Sequence, residues 1–540
     1  MLPPEVSTES FAQALREFEA AVGKDGVFSR GDDLIAYSDA YDPYAVEPPK
    51  QLHASAAVAP TSVEQVQAVV RIANKHQIPL YSISTGRNLG YGGAGPTLNG
   101  CVVVDLKRMD RVLEINERDA YVVVEPGVNF MDLYRKLEEN QSPFMVATPE
   151  PGWGSPIGNA LDHGVSYIMG DNFSAVRGIE VVLASGEVLR TGMGALPDGK
   201  LWHQYPYGFG PDVAGLFGQS NFGIVTKMGF SLVRKPEVQT SFTVTSAKSD
   251  DLSHLIDLTQ RLREQGLLYL TTVESPIRGA MSPPGQPVPP LVQRAKELLR
   301  SKDGGSAAEW DKLAQDSGTP AALVTGSIRG PAKIVNATLD YARELFAALP
   351  GVTFKQDEMY RFPLDVAAIP PHERAQFGIP GLWSFSNLIF GNLQRGLYFF
   401  SPVCRASAED LFALKQAIRD VVLLHADEAT QDAFLSWNRC NTVYPQAFIF
   451  TYPFPITENA VANQKSRDLF KRLVEACGAK GFGEYRAHAA FQTEAMAQYS
   501  FSDNAMLKFY ETIKDAIDPN GILSPGKSGI WPKRLRATQS

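Results

Sequence analysis

The string Gly90-Tyr-Gly92-Gly-Ala-Gly95 fits the pattern GxGxxG, and the residues after it limit the folds open to this chain. A dinucleotide fingerprint requires a helix to open at the glycine-rich turn, so that its amide end faces the pyrophosphate. Here Pro96 and Asn99-Gly100 lead instead into Cys101-Val-Val-Val, which reads as a strand. A loop between two strands excludes a Rossmann unit. A second string, Gly521-Ile-Leu-Ser-Pro-Gly526-Lys527-Ser528, matches the phosphate-loop pattern GxxxxGK[ST] letter for letter. Asp518-Pro-Asn precedes it and Gly529-Ile-Trp-Pro532 comes next, so it has neither the feeding strand nor the trailing helix that aims amides at phosphates. That excludes a nucleotide triphosphatase. Another anion cradle stays open. In Ser84-Thr-Gly-Arg-Asn-Leu-Gly90, glycines and small polar residues leave backbone amides free to converge on an anion, and Gly152-Trp-Gly154-Ser155-Pro-Ile-Gly158-Asn159 offers a second such loop. A pyrophosphate held between the two would account for both, although each alone also reads as a tight turn.

A chain of 540 residues is too long for one compact core, so two or more packed domains are expected. A leading helix over Ser7–Val22 precedes a Tyr- and Pro-rich stretch to about Pro49. Thr61-Ser-Val-Glu64 reads as a capping box with Thr61 as the cap, and Val63, Val66, Val70 and Ala73 then recur at helical spacing. Ile78–Ile83, Cys101–Leu106, Tyr121–Glu125 and Gly178–Leu183 read as strands. Near Pro236 the texture turns to alternating strands and longer amphipathic helices, which marks a second domain. Ser282-Pro-Pro-Gly-Gln-Pro-Val-Pro-Pro reads as an excursion from it, either a lid or a surface insertion.

The formal net charge of −8 is spread along the chain and attracts neither nucleic acid nor an anionic membrane surface. No apolar run approaches the roughly 20 residues that span a bilayer. Met1-Leu-Pro-Pro-Glu-Val lacks the basic start and apolar stretch of a signal peptide, and a cytoplasmic location is expected. Cys101, Cys404, Cys440 and Cys477 lie far apart without metal-ligand spacing, so free thiols and no metal are expected.

Taken in chain order, several blocks resemble the vanillyl-alcohol oxidase and p-cresol methylhydroxylase family of flavoproteins. They begin with Val58-Ala-Pro-Thr-Ser-Val-Glu-Gln-Val, Ile83-Ser-Thr-Gly-Arg-Asn-Leu-Gly-Tyr-Gly-Gly and Val124-Glu-Pro-Gly-Val. Gly192-Met-Gly-Ala-Leu-Pro, Tyr207-Gly-Phe-Gly-Pro and Gln219-Ser-Asn-Phe-Gly-Ile-Val-Thr-Lys-Met-Gly come next. The last are Phe400-Ser-Pro-Val, Gly483-Glu-Tyr-Arg and Asp518 to Ile530. The likeness is strong to the branch that oxidises 4-alkylphenols and weak only between about Pro236 and Phe399. It implies an α+β fold of two domains: an FAD-binding domain over 1–235 with a C-terminal return over 500–540, and an antiparallel-sheet cap domain over 236–499 that covers the flavin. By position, Ser84, Thr85, Gly86, Arg87, Asn88, Leu89, Gly90, Pro149, Gly154, Ser155, Gly158 and Asn159 would cradle FAD. Gly223, Ile224 and Val225 would meet its adenine end, and Lys527 would lie near the flavin ring.

The resemblance also implies the chemistry. Removing a hydride from a benzylic carbon becomes feasible when a para-phenolate donates into that carbon and collapses to a quinone methide. Hydrogen-bond donors and a cation aimed at the phenolate oxygen stabilise that route. Tyr91, Tyr485 and Arg486 match the family's phenolate-binding residues. Glu150 stands where the family has an aspartate, and a carboxylate there would share a proton with reduced flavin or activate water. Met169 replaces a tyrosine of the substrate pocket, and Asn438-Arg-Cys-Asn-Thr-Val stands in the region of a Met-His-His segment, so the substrate is expected to differ from the usual small phenol. Leu397 occupies the position that often anchors the flavin covalently. Leucine has no nucleophile, and strand alternation turns Tyr398 to the opposite face. Non-covalent FAD is therefore expected, with oxygen or an electron-transfer protein as acceptor and a homodimer or larger homo-oligomer as the assembly. Two other readings remain: a flavin- or ligand-binding homologue without redox activity, and the same fold acting on a non-phenolic alcohol or hydroxy acid.

Overall fold

The computed structural model describes residues 1–279, 289–383, 395–436, 439–444 and 446–536. Its first sheet has the order Val27–Phe28, Ala56–Val58, Val102–Asp105, Leu80–Ile83. The last three strands run parallel, with Ala57 opposite Val103 and Val103 opposite Tyr81. Parallel strands are buried on both faces and read as unbroken apolar runs, which explains Ala-Ala-Val and Val-Val-Val. Helices Thr8–Val22 and Val63–His76 cover one face, where Phe11, Phe18, Val66 and Val70 pack on Val102 and Val104. The C-terminal segment returns to this sheet: the Leu80 amide donates to Ile522 O at 2.6 Å, and the Ser524 amide to Leu80 O at 2.8 Å.

The helix that begins at Val63 is capped one residue later than the sequence predicts. Ser62, in extended backbone conformation, accepts the Gln65 amide, while Gln65 Oε1 accepts the Thr61 amide at 2.7 Å. Two hydroxyls stand in succession at this helix start, and the backbone conformation selects the second.

A five-stranded antiparallel sheet comes next, in the order Val188–Arg190, Val176–Val182, Ile224–Ser231, Tyr121–Val124, Val112–Asn116. An eight-stranded antiparallel sheet begins at Thr353–Gln356, beside Val238–Ser246, which also pairs with Tyr360–Arg361, and runs through Ala322–Gly330, Leu270–Glu274 and Arg439–Tyr444 to Ala447–Ile449 and Val403–Arg405. Helices Asp251–Glu264, Ala332–Ala347, Ala408–His425 and Ala460–Gly478 bury their apolar sides in the core that includes this sheet. Sheets and helices are thus segregated, as an α+β chain requires. The proline-rich run Ser282–Val288 lies outside the described residues. The helices after it, Pro290–Arg300 and Ala307–Ser317, are more than a surface insertion: they enclose a small core around fully buried Trp310. Among the described residues no helix is long and apolar enough to cross a membrane. All four cysteines are buried and unpaired.

Candidate active site

A cavity of about 610 Å³ lies where the glycine-rich loops of the first two sheets meet strands Gly396–Phe400 and Ala447–Ile449 and the segment around Tyr485. Of the sequence-predicted residues, Ser84, Thr85, Gly86, Arg87, Asn88, Leu89, Pro149, Gly154, Ser155, Gly158, Asn159, Gly223, Val225 and Lys527 all line it. Tyr91, Tyr485, Arg486 and Leu397 line it as well. One wall is a set of donors without acceptors: the amides of Gly86, Arg87, Asn88 and Leu89 donate no hydrogen bond among the described residues. Backbone amides left open beside a cavity are the requirement for holding a phosphate, and this cradle fits the pyrophosphate of FAD. At Gly158 an added Cβ would stand 2.5 Å from Ser84 Oγ, so that hydroxyl would have to swing out of the cradle. Gly90 does not line the cavity but shapes it. Its φ is +84°, and a Cβ there would meet the Phe399 ring at 2.6 Å.

At the far end the guanidinium of Arg486 lies 4.3 Å from the centre of the Tyr91 ring and 5.7 Å from that of Tyr485. Arg486 donates to Asn88 Oδ1 and, at 3.2 Å, to Asp162 Oδ2. Asn88 Nδ2 donates to the same Asp162 oxygen at 2.6 Å, and Lys527 Nζ stands 3.7 Å from its other oxygen. Burial pushes the Asp162 carboxyl up, but the Lys527 and Arg486 charges and the Asn88 hydrogen bond outweigh it and hold the group below its ordinary range. Asp162 therefore stays anionic and fixes both cations. Burial works against the charge of Arg486 too, yet Tyr485, Asp162 and Tyr91 keep it firmly protonated.

Both tyrosines are pushed up by burial, which the Arg486 charge only partly offsets, so each keeps its proton at neutral pH. The Tyr91 hydroxyl shares a hydrogen bond of 2.8 Å with Ser401 Oγ. That of Tyr485 is buried with no acceptor; Arg486 acts on it electrostatically at a geometry short of a hydrogen bond. An unpaired buried hydroxyl costs on the order of 1–3 kcal/mol, which a ligand oxygen accepting its proton would recover. Beneath them, Glu484 Oε2 accepts the Ser401 amide at 2.9 Å. Burial, only partly countered by that bond, pushes this carboxyl up to about 8.

Leu397 and Tyr398 take opposite faces of their strand. Leu397 lines the cavity, whereas Tyr398 is buried in the core and stacks on Phe454 at 5.1 Å. Besides Gly90, three predicted residues lie apart from the lining. Ile224 packs with Val182 and Ile522, because strand alternation sends it away from the face that Gly223 and Val225 present. Met169 packs on the core of the second sheet, and Tyr167 lines the cavity in its place. Glu150 is buried between Pro149 and Pro151, which do line it, and Glu150 Oε1 accepts the Trp383 amide. It remains close enough to Tyr167 to act on it electrostatically. Asn438 lies outside the described residues, and Arg439–Tyr444 is a strand of the largest sheet.

The sequence reading missed Asp162 and Ser401. Asp162 stands one helical turn after Gly158, so a carboxylate flanking a glycine-rich loop was the available signal. Ser401 had no signal beyond its place in Phe400-Ser-Pro-Val.

Residues 54–192 match the FAD binding domain family, and residues 442–528 match the C-terminal domain of FAD linked oxidases. The chain is 31% identical to the 4-cresol dehydrogenase [hydroxylating] flavoprotein subunit of Pseudomonas putida, over 98% of each chain. It superposes on the isoeugenol complex of 4-ethylphenol oxidase from Gulosibacter chungangensis with a TM-score of 0.82 and 33% identity, over 99% of this chain and 100% of that one. Substrate-bound p-cresol methylhydroxylase matches with a TM-score of 0.80 and 29% identity, over 98% of this chain and 99% of that one. With this identity and fold shared over almost its whole length, the chain belongs to the vanillyl-alcohol oxidase and p-cresol methylhydroxylase family of FAD-linked oxidoreductases.

Proposed function

We propose that the enzyme oxidises the benzylic or allylic carbon of para-substituted phenols through a quinone methide. The observation that carries this reading is the convergence of Tyr91, Tyr485 and Arg486 at one end of the cavity. A non-phenolic alcohol brings no negative charge to that guanidinium; the carboxylate of a hydroxy acid can meet it, so the choice of phenols over hydroxy acids rests on the relatives. The names of the two relatives, a 4-cresol dehydrogenase and a 4-ethylphenol oxidase, support the same class.

In this reading Tyr485 donates to the substrate oxygen, Tyr91 donates when its proton turns from Ser401, and the Arg486 charge favours the phenolate. Loss of a hydride from the side-chain carbon attached to the ring para to that oxygen leaves a neutral quinone methide. The negative charge on oxygen is consumed as the ring double bonds shift. When bound, FAD supplies the two-electron acceptor. Gly86 to Leu89 would hold its phosphates through their amides, with Ser84, Ser155, Gly158 and Asn159 closing the cradle and Gly223 and Val225 at the adenine end. Leu397 offers that cofactor no bond, so we take it as dissociable. Glu150 would take a proton from water attacking the quinone methide or return one to the intermediate.

We take 1–235 with 500–540 as the FAD-binding domain and 236–499 as the cap. Buried, unpaired cysteines support a cytoplasmic setting. Exposed Leu196, Leu201, Tyr205, Tyr207 and Phe209 support a homo-oligomer. The electron acceptor would be oxygen or an electron-transfer protein.

Anaerobic mixing tests the reading. 4-Ethylphenol should bleach the visible flavin absorbance, whereas 4-ethylanisole, of similar shape but unable to ionise, should not. Equal bleaching by both, or by neither, would defeat it.

A further inference from the structure

The layer behind Tyr91 and Tyr485 holds a carboxyl group that the chemistry above does not use. Residues 483–485 run antiparallel to 401–403: the Val403 amide donates to Gly483 O at 3.0 Å and the Tyr485 amide to Ser401 O at 2.8 Å. Successive side chains of an extended segment take opposite sides, so Tyr485 lines the cavity and Glu484 stands behind it. Glu484 Oε2 accepts the Ser401 amide at 2.9 Å, and Ser401 Oγ shares its 2.8 Å hydrogen bond with the Tyr91 hydroxyl. Ser401 thus joins Glu484 to a tyrosine of the site.

Nothing around this carboxyl compensates a negative charge. Glu484 as a residue is half-buried, yet its Oε1 is enclosed with no hydrogen-bond partner. Among the described residues it forms no ion pair, and Arg486, two positions on, is committed to Asn88 and Asp162. An enclosed carboxylate with one amide and no cation is costly, and such a group keeps its proton instead. Burial, only partly offset by the Ser401 amide, accordingly pushes it up to about 8. The other titratable groups that face it are Tyr91, Cys477 from helix Ala460–Gly478, and Tyr499, whose hydroxyl donates to Glu484 O at 3.4 Å. Each is neutral while protonated. Burial pushes all three up, Cys477 to about 12, so none of them changes charge where Glu484 does.

A charge on Glu484 is felt at the Tyr91 hydroxyl, and so at any phenolate oxygen which that hydroxyl meets. We propose that Glu484 is a positioning residue that works as an uncharged acid: it holds Ser401, and through it Tyr91, and its ionisation in alkaline solution loosens the hold on the phenolate. This role rests on the cavity being the phenolate site proposed above. The sign follows from the charges. With the proton on, Arg486 meets the substrate oxygen without a second anion behind the site; with the proton off, two like charges share one poorly solvated layer. The phenolate is therefore held best below the titration of Glu484 and released as pH rises through it.

Pentafluorophenol tests this on the FAD-loaded, full-length protein, because it has no side chain to oxidise and is itself ionised throughout the range used. Its affinity is read from the perturbation of the flavin's visible absorbance between about pH 7 and about pH 9.5, on either side of the carboxyl's titration. The parent's affinity should fall about tenfold over that range, as one added negative charge at short range requires. In Glu484→Gln, which keeps the shape and an oxygen for the Ser401 amide, the affinity should stay level with pH. Should that variant fail to fold, Glu484→Met, uncharged and of similar length, takes its place with the same expectation. Infrared difference spectra of the parent between the two pH values should also lose a protonated-carboxyl band that neither variant shows. A parent affinity that does not fall, an equal fall in the uncharged variant, or no such band would each overturn the proposal and leave the phenolate site standing. No binding to the parent at any of these pH values would overturn it together with the phenolate site on which it rests.

Discussion

In the stretch Gly521–Ser528 every backbone N–H that can donate does so. The Ile522 and Leu523 amides take the two oxygens of Asp518, each at 2.9 Å, and the Ser524 amide takes Leu80 O at 2.8 Å. The amides of Gly521, Gly526 and Lys527 go to backbone carbonyls, and that of Ser528 to Gln492 Oε1 at 2.7 Å. In Gly86–Leu89 the amides have no protein acceptor among the described residues. Both stretches are rich in glycine and small polar residues, and only the second leaves donors for a phosphate. What makes an anion site is the set of donors the fold leaves open, which a short string of residue types does not specify. The saturated stretch still serves the cavity, through the side chain of Lys527 facing Asp162.

The largest expected effect comes from unpicking the saturated stretch. Asp518 and Lys514 form a fully buried pair at 2.7 Å, and Lys514 Nζ also donates to Asn221 O and Leu523 O. Asp518→Ala leaves that ammonium uncompensated, which should cost about 3–5 kcal/mol. Chemical unfolding would register it as a lower midpoint; an unchanged midpoint would mean that Asp518 does not hold this segment. At the other end of the free-amide cavity, Arg486→Ala and Tyr485→Phe should each slow flavin reduction about a hundredfold, or about 3 kcal/mol, while changing substrate binding much less. Reduction at the parent rate in both would remove them from the chemistry.

Closing the free-amide loop should have a smaller effect. Gly158→Val pushes a side chain against Ser84 and should weaken FAD binding about tenfold, or about 1.4 kcal/mol, without unfolding the protein. The parent should release all its FAD on acid precipitation. Flavin left in the pellet, or retained equally by the variant, would contradict this. The smallest effect is expected at Glu150, whose carboxylate is held by Trp383 beside the cavity. Glu150→Gln should shift the ratio of hydrated to dehydrogenated product by about threefold, or about 0.65 kcal/mol. A ratio equal to the parent's would leave Glu150 a structural residue.

Much of the fold was legible because its signals are local. The parallel strands around Val103 read as apolar runs, and the loops around Gly90 and Gly158 as glycine clusters between elements. Leu397 and Tyr398 were assigned to opposite faces by alternation alone. The helix cap slipped by one residue because Thr61 and Ser62 are chemically alike. Met169 and Ile224 read by position as cavity residues yet lie off its lining, since this depends on how a loop or strand edge meets a distant core. Asp162 and Ser401 were missed for a related reason. Their partners Arg486 and Tyr91 lie hundreds of residues away, and no spacing along the chain records the encounter.

The proposed chemistry depends on one end of one cavity stabilising a phenolate. 4-Hydroxybenzaldehyde, whose phenol and phenolate forms absorb at different wavelengths, reports this when bound to the FAD-loaded protein. A fixed guanidinium and two tyrosine donors should lower its pKa by about one unit or more. The bound molecule should therefore absorb as phenolate at a pH where the free molecule is neutral, and Arg486→Ala should abolish the shift. A bound molecule that absorbs as the neutral phenol at that pH would contradict phenolate stabilisation at this site.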